Sequence, residues 1–337
     1  MNQHDQKYEK FALIREMFET VDIIKSLNLE KLSEFADCIK NSKNIFFTGE
    51  GSSRIFPSKR AIDFSLKNNL QFNMHSEGAV QAMDYNLKDF TVLAASNSGR
   101  TKEVVQLFLK LQKENHNKLF SVVANENTPL QEMASSCVIL SCGKENAVAA
   151  TKSVMEQALV YDIILRKSTG LPMPDLNELS SKIKDTLEMV IPEDIVNILK
   201  NASTIYFAGR NNGVAEELTL KTNEITRKKS DYLEGTYAVH GIEEVMNKNE
   251  ALIIIDPFSN EEEKFKSCLA DKIGIPVTAV TAGDSIFPKI KIPRMEGYDE
   301  FIQLAAGWNL LATAGVELGI NLDMPQRARK IGNEFTA

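Results

Sequence analysis

The chain has 337 residues, too many for one ordinary core and enough for two at about 100–200 residues per domain. Apolar residues make up 43% and charged residues 25%, with 17 glycines and 10 prolines, which excludes a disordered or fibrous protein. Thirty-nine basic against 46 acidic residues leave a net charge of −7, a poor match to sequence-independent binding of nucleic acid, so local groups must hold any anion.

The polar stretch 1–7 leads into no apolar signal segment, and the apolar runs, such as 91–95 and 251–256, are strand-sized. No membrane partner is expected. Cys38, Cys137, Cys142 and Cys268 are scattered without metal-ligand spacing, which suits a reducing cytoplasm and implies no metal site.

Phe11, Ile14, Phe18, Val21, Ile24 and Leu27 recur at three- and four-residue intervals, the apolar stripe of a helix within a helical arm over residues 1–40. With six basic and eight acidic residues, the arm does not resemble a DNA-reading helix-turn-helix. Residues 44–48 (NIFFT) read as a short buried strand, followed by GEGSS and a helical stretch to Asn68. Residues 91–95 (TVLAA) are the next strand, followed by SNSGRT and a helix over 102–113. Segments 119–124 (LFSVVA) and 137–140 (CVIL) continue the series, and 150–166 is helical and apolar-rich. Strands alternating with helices imply parallel β-α-β units with helices on both faces.

After Gly170 the segment LPMPD breaks the pattern. The rhythm restarts with 204–208 (TIYFA) and GRNNG, followed by strands at 251–256 and 276–280 and a helix over 300–318. NIFFTGEGSSRIFPSKRAIDFSLKN and TIYFAGRNNGVAEELTLKTNEITRK both read strand, glycine-containing turn, helix. This predicts duplication of one α/β unit, with the joint near 170–192. The expected architecture is two tandem flavodoxin-like three-layer units over 41–170 and 193–320, each a mostly parallel sheet flanked by helices, with a tail over 321–337.

Ser96-Asn97-Ser98-Gly99-Arg100-Thr101 lies between a predicted strand and a predicted helix. Open α/β sheets bind ligands at the carboxyl ends of their strands, and a helix N-terminus offers unpaired N–H groups and partial positive charge. Three hydroxyls and a glycine there describe a phosphate cradle, although Ser98 or Thr101 could simply cap the helix. Gly51-Ser52-Ser53 repeats the arrangement after the first strand and favours the cradle. No GxxxxGK[ST] string occurs, which argues against nucleoside triphosphate chemistry. Glu217, Lys221 and Glu224, spaced by four and three, share one helical face, which on spacing alone is expected to be solvated. His240 lies sixteen residues beyond Glu224, among turn residues, and Lys330 sits in a basic tail.

Together these segments resemble the sugar isomerase (SIS) domain family, and within it the isomerase half of glucosamine–fructose-6-phosphate synthase. The resemblance runs through REMFETVDIIKS, GEGSS, SNSGRT, ENAVAATKS, ELTLKTNEI, EGTYAVHG and DMPQRARK. It implies tandem SIS units, a phosphosugar substrate gripped by Gly51, Ser52, Ser53, Ser96, Asn97, Ser98 and Thr101, and Ala149 and Glu217 beside the substrate. It implies catalytic roles for Glu224, Lys221, His240 and Lys330, a tail that covers the site, and a homodimer in which His240 reaches the neighbouring chain's site. Arg100 and Asn97 stand where the family loop carries glutamate and glutamine, and the added charge suits a substrate bearing a carboxylate as well as a phosphate. Because Met1-Asn2-Gln3 opens directly on the helical arm, no glutamine-hydrolysing domain is expected.

Aldose–ketose interconversion needs an open-chain sugar, a base that moves a proton between adjacent carbons, and charge stabilisation at the carbonyl oxygen. Glu224 suits the base and His240 ring opening, since an imidazole passes protons near neutrality. Lys221 offsets enediolate charge or orients Glu224, and Lys330 could form a Schiff base with a ketose. No metal, nucleotide or other cofactor is needed. Three readings follow: an isomerase or deaminase of an amino-sugar phosphate, a deglycase of a phosphorylated sugar–amino acid adduct, and a sugar-phosphate sensor. The carboxylate–histidine–lysine set and the lack of a DNA-binding head favour an enzyme.

Overall fold

The computed structural model describes residues 1–328 together with 334 and 335. Among the described residues ten strands form two five-stranded sheets, parallel throughout, in two compact units. One unit comprises residues 22–146, 150–177 and 326–337; the other comprises 1–21, 147–149 and 178–325.

In the first sheet β1 (Asn44–Gly49), β2 (Asn73–Gly78), β3 (Thr91–Ser96), β4 (Leu119–Val123) and β5 (Ser136–Ile139) lie in the order β2-β1-β3-β4-β5. Residues of β1, β3 and β4 are almost all buried because helices cover both faces, which is why these strands read as unbroken apolar runs. The Lys102–Lys113 helix turns Val104, Val105, Leu107, Phe108 and Leu111 onto one side of the sheet, packing with Phe46, Val92 and Leu119. The Ile55–Lys67 and Lys152–Thr169 helices pack on each other, and the Arg60 guanidinium meets the fully buried Asp162 carboxylate between them. Asp162 also takes Arg166 Nε at 2.8 Å, and both guanidinium groups lie over the Phe64 ring.

In the second sheet β6 (Thr204–Gly209), β7 (Lys229–Glu234), β8 (Ala251–Ile255), β9 (Val277–Thr281) and β10 (Lys289–Lys291) lie in the order β10-β9-β8-β6-β7. Reversed, this is the order of the first sheet, strand for strand. The Val214–Ile225 helix packs on β6, on β7 and on the Asp299–Glu317 helix. Gly307 permits that last contact, since a Cβ there would stand 2.3 Å from Leu218 Cδ2. Phe11, Ile14 and Phe18 of the expected amphipathic stripe are buried. Among the described residues no helix is long and apolar enough to cross a membrane.

Candidate functional site

In the β1–β5 unit the connections leave β1 and β3 in opposite directions along the sheet, so a crevice opens at the carboxyl ends of these two neighbours. The strand ends are close: a Cβ on Gly49 would stand 2.8 Å from the Ala95 carbonyl oxygen. After β1 comes a single 3-10 turn, Gly51–Ser53, with Ser52 buried and Ser53 half-buried. After β3 comes Asn97–Thr101 and then the Lys102–Lys113 helix, whose positive end lies at this loop.

The hydroxyls of the second loop are knitted to one another and to its backbone. Ser96 Oγ and Thr101 Oγ1 are 2.8 Å apart, the Gly99 N–H donates to Ser96 Oγ (3.1 Å), and the Arg100 N–H donates to Ser98 Oγ (3.1 Å). Thr101 holds the N-cap position but its side chain makes no cap bond, so simple capping does not account for it. Gly99 is required: its φ is +64°, and a Cβ would meet Thr128 Oγ1 at 2.4 Å. The Arg100 side chain donates through Nη2 to the Asn127 carbonyl (2.8 Å). The Arg100 carbonyl accepts from the Phe335 N–H (2.8 Å), so part of the tail lies against this loop.

Two residues that sequence reading passes over join this crevice. Gln157 is fully buried on the Lys152–Thr169 helix and donates through Nε2 to Ser53 Oγ (3.3 Å). Glu145, 1% exposed, accepts from the Thr151 N–H (2.7 Å), Ser153 Oγ (2.6 Å) and Asn97 Nδ2 (3.3 Å). The available signal was polarity inside or just ahead of an almost wholly buried helix. Glu50, at the end of β1, accepts from the Ala79 N–H (2.9 Å). Burial raises its carboxyl above the ordinary range, the Ala79 bond opposes this, and the Glu103 charge adds to it.

Ala149 is fully buried and belongs to the other unit, where the neighbouring Ala147 N–H donates to Glu16 Oε2 (3.3 Å) and the Val148 N–H to the Asp323 carbonyl (3.3 Å). That unit also holds the charged face. Lys221 Nζ lies 3.1 Å from Glu217 Oε1 and 2.8 Å from Glu224 Oε2. The expectation of a solvated face is overturned, because Glu217 and Lys221 side chains are 0% exposed and only Glu224 keeps 24%. The helix is packed on both the sheet and the Asp299–Glu317 helix, so its one charged row is enclosed and must neutralise itself. Burial alone would favour the neutral amine, but the two carboxylates outweigh it and hold Lys221 above its ordinary pKa.

His240 is exposed, 3.4 Å through Nε2 from Lys264 Nζ, and no described hydrogen bond or ion pair joins it to Glu224. Lys330 lies outside the described residues. The crevice at the ends of β6 and β8 begins with the same close approach, a Cβ on Gly209 standing 2.7 Å from the Ile255 carbonyl oxygen. Beyond it, however, Arg210 Nε pairs with Asp256 Oδ2 at 2.5 Å and the guanidinium covers Phe258 at 4.2 Å. One copy of the duplicated crevice thus carries small hydroxyls and the other an ion pair.

Residues 38–167, which include both hydroxyl loops, match the SIS domain family. This segment is a SIS domain. The glutamine–fructose-6-phosphate aminotransferase (isomerizing) of Methanocaldococcus jannaschii is 24% identical over 342 residues, covering 94% of this chain but 30% of the relative. The chain therefore spans about a third of that relative's length. The C-terminal domain of glucosamine-fructose-6-phosphate aminotransferase from Francisella tularensis superposes with a TM-score of 0.77 at 16% identity, covering 94% of this chain and 98% of that one. Glucosamine-6-phosphate deaminase from Thermotoga maritima superposes with a TM-score of 0.69 at 20% identity, covering 94% and 98%. With that fold shared along nearly the whole chain, the two sheets are tandem SIS-type units.

Proposed function

We propose that this SIS protein binds a phosphosugar and moves a proton between adjacent sugar carbons, as an isomerase or deaminase of an amino-sugar phosphate. The observation that carries the reading is the set of hydroxyls gathered at a helix start and a strand crossover, where Ser96, Ser98 and Thr101 crowd around Gly99. Together with Gly51, Ser52 and Ser53 they would grip the phosphate, supplying orientation and no bond breaking, and Asn97 would meet the substrate beside it. The relatives named above bear aminotransferase, isomerizing and deaminase names, which favours amino-sugar chemistry.

Glu224 takes the role of base. It is the one member of its charged row with exposed surface, and Lys221 holds its carboxylate in place. The carboxylate removes the proton from the carbon beside the carbonyl, an enediolate forms, and the proton returns to the neighbouring carbon. His240 would open the sugar ring. Its exposure on its own unit supports a homodimer in which it serves a second copy's site.

The test is turnover of glucosamine 6-phosphate and fructose 6-phosphate in heavy water, followed by NMR. Deuterium should enter the carbon beside the carbonyl, and Glu224→Gln should stop this while leaving phosphosugar affinity within about threefold. Tight binding across a panel of phosphosugars with neither exchange nor product would leave a sensor instead of an enzyme. Arg100 favours a second reading, a deglycase whose substrate adds a carboxylate. A phosphorylated fructosamine bearing an amino acid belongs in the same panel, with free amino acid as the product to detect.

A further inference from the structure

The Lys152–Thr169 helix is 18 residues long, and its N-terminus is an anion site in its own right. The protein has already filled it. Glu145 places Oε1 against the N–H groups of Thr151 (2.7 Å) and Ser153 (3.4 Å), and Oε2 against Ser153 Oγ (2.6 Å). A substrate phosphate therefore has no place there, which leaves the Lys102–Lys113 helix start, where the hydroxyls are, as the phosphate end of the crevice.

The same carboxylate reaches into the hydroxyl loop. Glu145 Oε2 accepts from Asn97 Nδ2 at 3.3 Å, and the Gly143 carbonyl is 3.5 Å from the same nitrogen. A carboxylate and a carbonyl can only accept, so they dictate which way the amide is turned. The amide nitrogen is drawn inward and Oδ1 points away from Glu145. The Asn97 main-chain oxygen is occupied by the Ala124 N–H (3.1 Å) and Asn125 Nδ2 (2.9 Å), whereas Oδ1 meets no donor among the described residues.

We infer that Glu145 is a positioning residue that sets the hydrogen-bond polarity of Asn97, making the loop present an acceptor to a substrate hydroxyl or ammonium next to its phosphate grip. This rests on the phosphosugar reading above and narrows it, because ligands that bring a donor beside the phosphate are selected over phosphate alone. Glu145→Gln is the informative change, since it keeps the size of the side chain and reverses the pattern. Its amide oxygen can still accept from Thr151, but its nitrogen now faces Asn97, which must turn its own oxygen inward and present nitrogen outward.

Two measurements separate the inference from the reading beneath it. The first uses NMR of the Asn97 side-chain amide, assigned by its loss in Asn97→Ala, with no ligand present. In the wild type one Nδ2 proton should be shifted and protected from exchange, and in Glu145→Gln both should resemble solvent-exposed amides. Unchanged resonances would overturn the inference whether or not the protein handles sugars. The second compares the dissociation constants of inorganic phosphate and fructose 6-phosphate. Glu145→Gln and Asn97→Ala should each reduce the preference for the sugar by roughly three- to tenfold, the weight of one hydrogen bond, and leave phosphate binding within about threefold. A preference unchanged in both variants would refute the role. If the wild type binds phosphate and no phosphosugar, the phosphosugar reading fails and only the amide measurement bears on Glu145. Should Glu145→Gln fail to fold, Asn97→Ala carries the binding comparison, since the bonds to the Thr151 and Ser153 N–H groups come from Glu145, which that variant keeps.

Discussion

Removing the Lys221 ammonium should unmask the cost of the charges packed around it. Lys221 sits 3.1 Å from Glu217 Oε1 and 2.8 Å from Glu224 Oε2. At an effective dielectric constant of about 20 each attraction is roughly 5–6 kcal/mol in gross terms, most of it offset by taking the groups out of water. Deleting the cation is asymmetric. Glu224 can turn to solvent, but Glu217 is 0% exposed and would lose the ammonium 3.1 Å away with no water to replace it. Lys221→Met should therefore cost about 3–5 kcal/mol, read from urea titrations at pH 7. Adding Glu217→Gln should restore at least about 2 kcal/mol of that, because the second change removes the buried carboxylate charge that lost its ammonium. A Lys221→Met loss below about 1 kcal/mol, or a double variant no more stable than the single one, would refute the argument that the row neutralises itself. Either result bears on stability alone and leaves the assignment of Glu224 to be decided by the heavy-water experiment.

Gly99→Ala forces both a strained φ and a Cβ 2.4 Å from Thr128 Oγ1, so a loss of roughly 1–3 kcal/mol is expected in thermal melts, partly recovered by Thr128→Gly; an unchanged melt would mean the loop relaxes freely. Asp162→Asn should cost about 3–5 kcal/mol, because Arg60, 2% exposed, loses its buried counter-charge; a cost under about 1 kcal/mol would count against the network. Glu50→Gln tests the sign of a pKa shift. Burial raises the folded Glu50 carboxyl above its unfolded value, so its ionisation penalises the fold above the folded pKa and has no effect below the unfolded one. The glutamine variant should melt higher than wild type near pH 7 and no higher near pH 4, and the opposite ordering would overturn the assignment.

The sequence by itself determined the α/β class and the duplication, because strands enclosed on both faces must be apolar throughout. NIFFT, TVLAA and TIYFA are therefore visible as runs, and NIFFT and TIYFA must each be followed by glycine where the strand end meets a neighbouring carbonyl. It also determined the hydroxyl loop, since SNSGRT between strand and helix combines a tight turn with small donors. The three strands that escaped it have a common cause. β2 (NMHSEG), β7 (KSDYLE) and β10 (KIK) are edge strands, paired on one side only and half open to water, so their residues follow no apolar pattern. Only the ladder beside them makes them strands, β2 and β7 occupying the same place in the two copies. The site divides in the same way. Spacing put Glu217, Lys221 and Glu224 on one face, but whether that face met water depended on the Asp299–Glu317 helix, which arrives some eighty residues later in the chain. Glu145 and Asn97 are 48 residues apart, and nothing local to either announces the other. That Glu145 caps a helix beginning beyond Thr151, and also turns an amide in a loop on another strand, is decided only when the sheet brings these segments together.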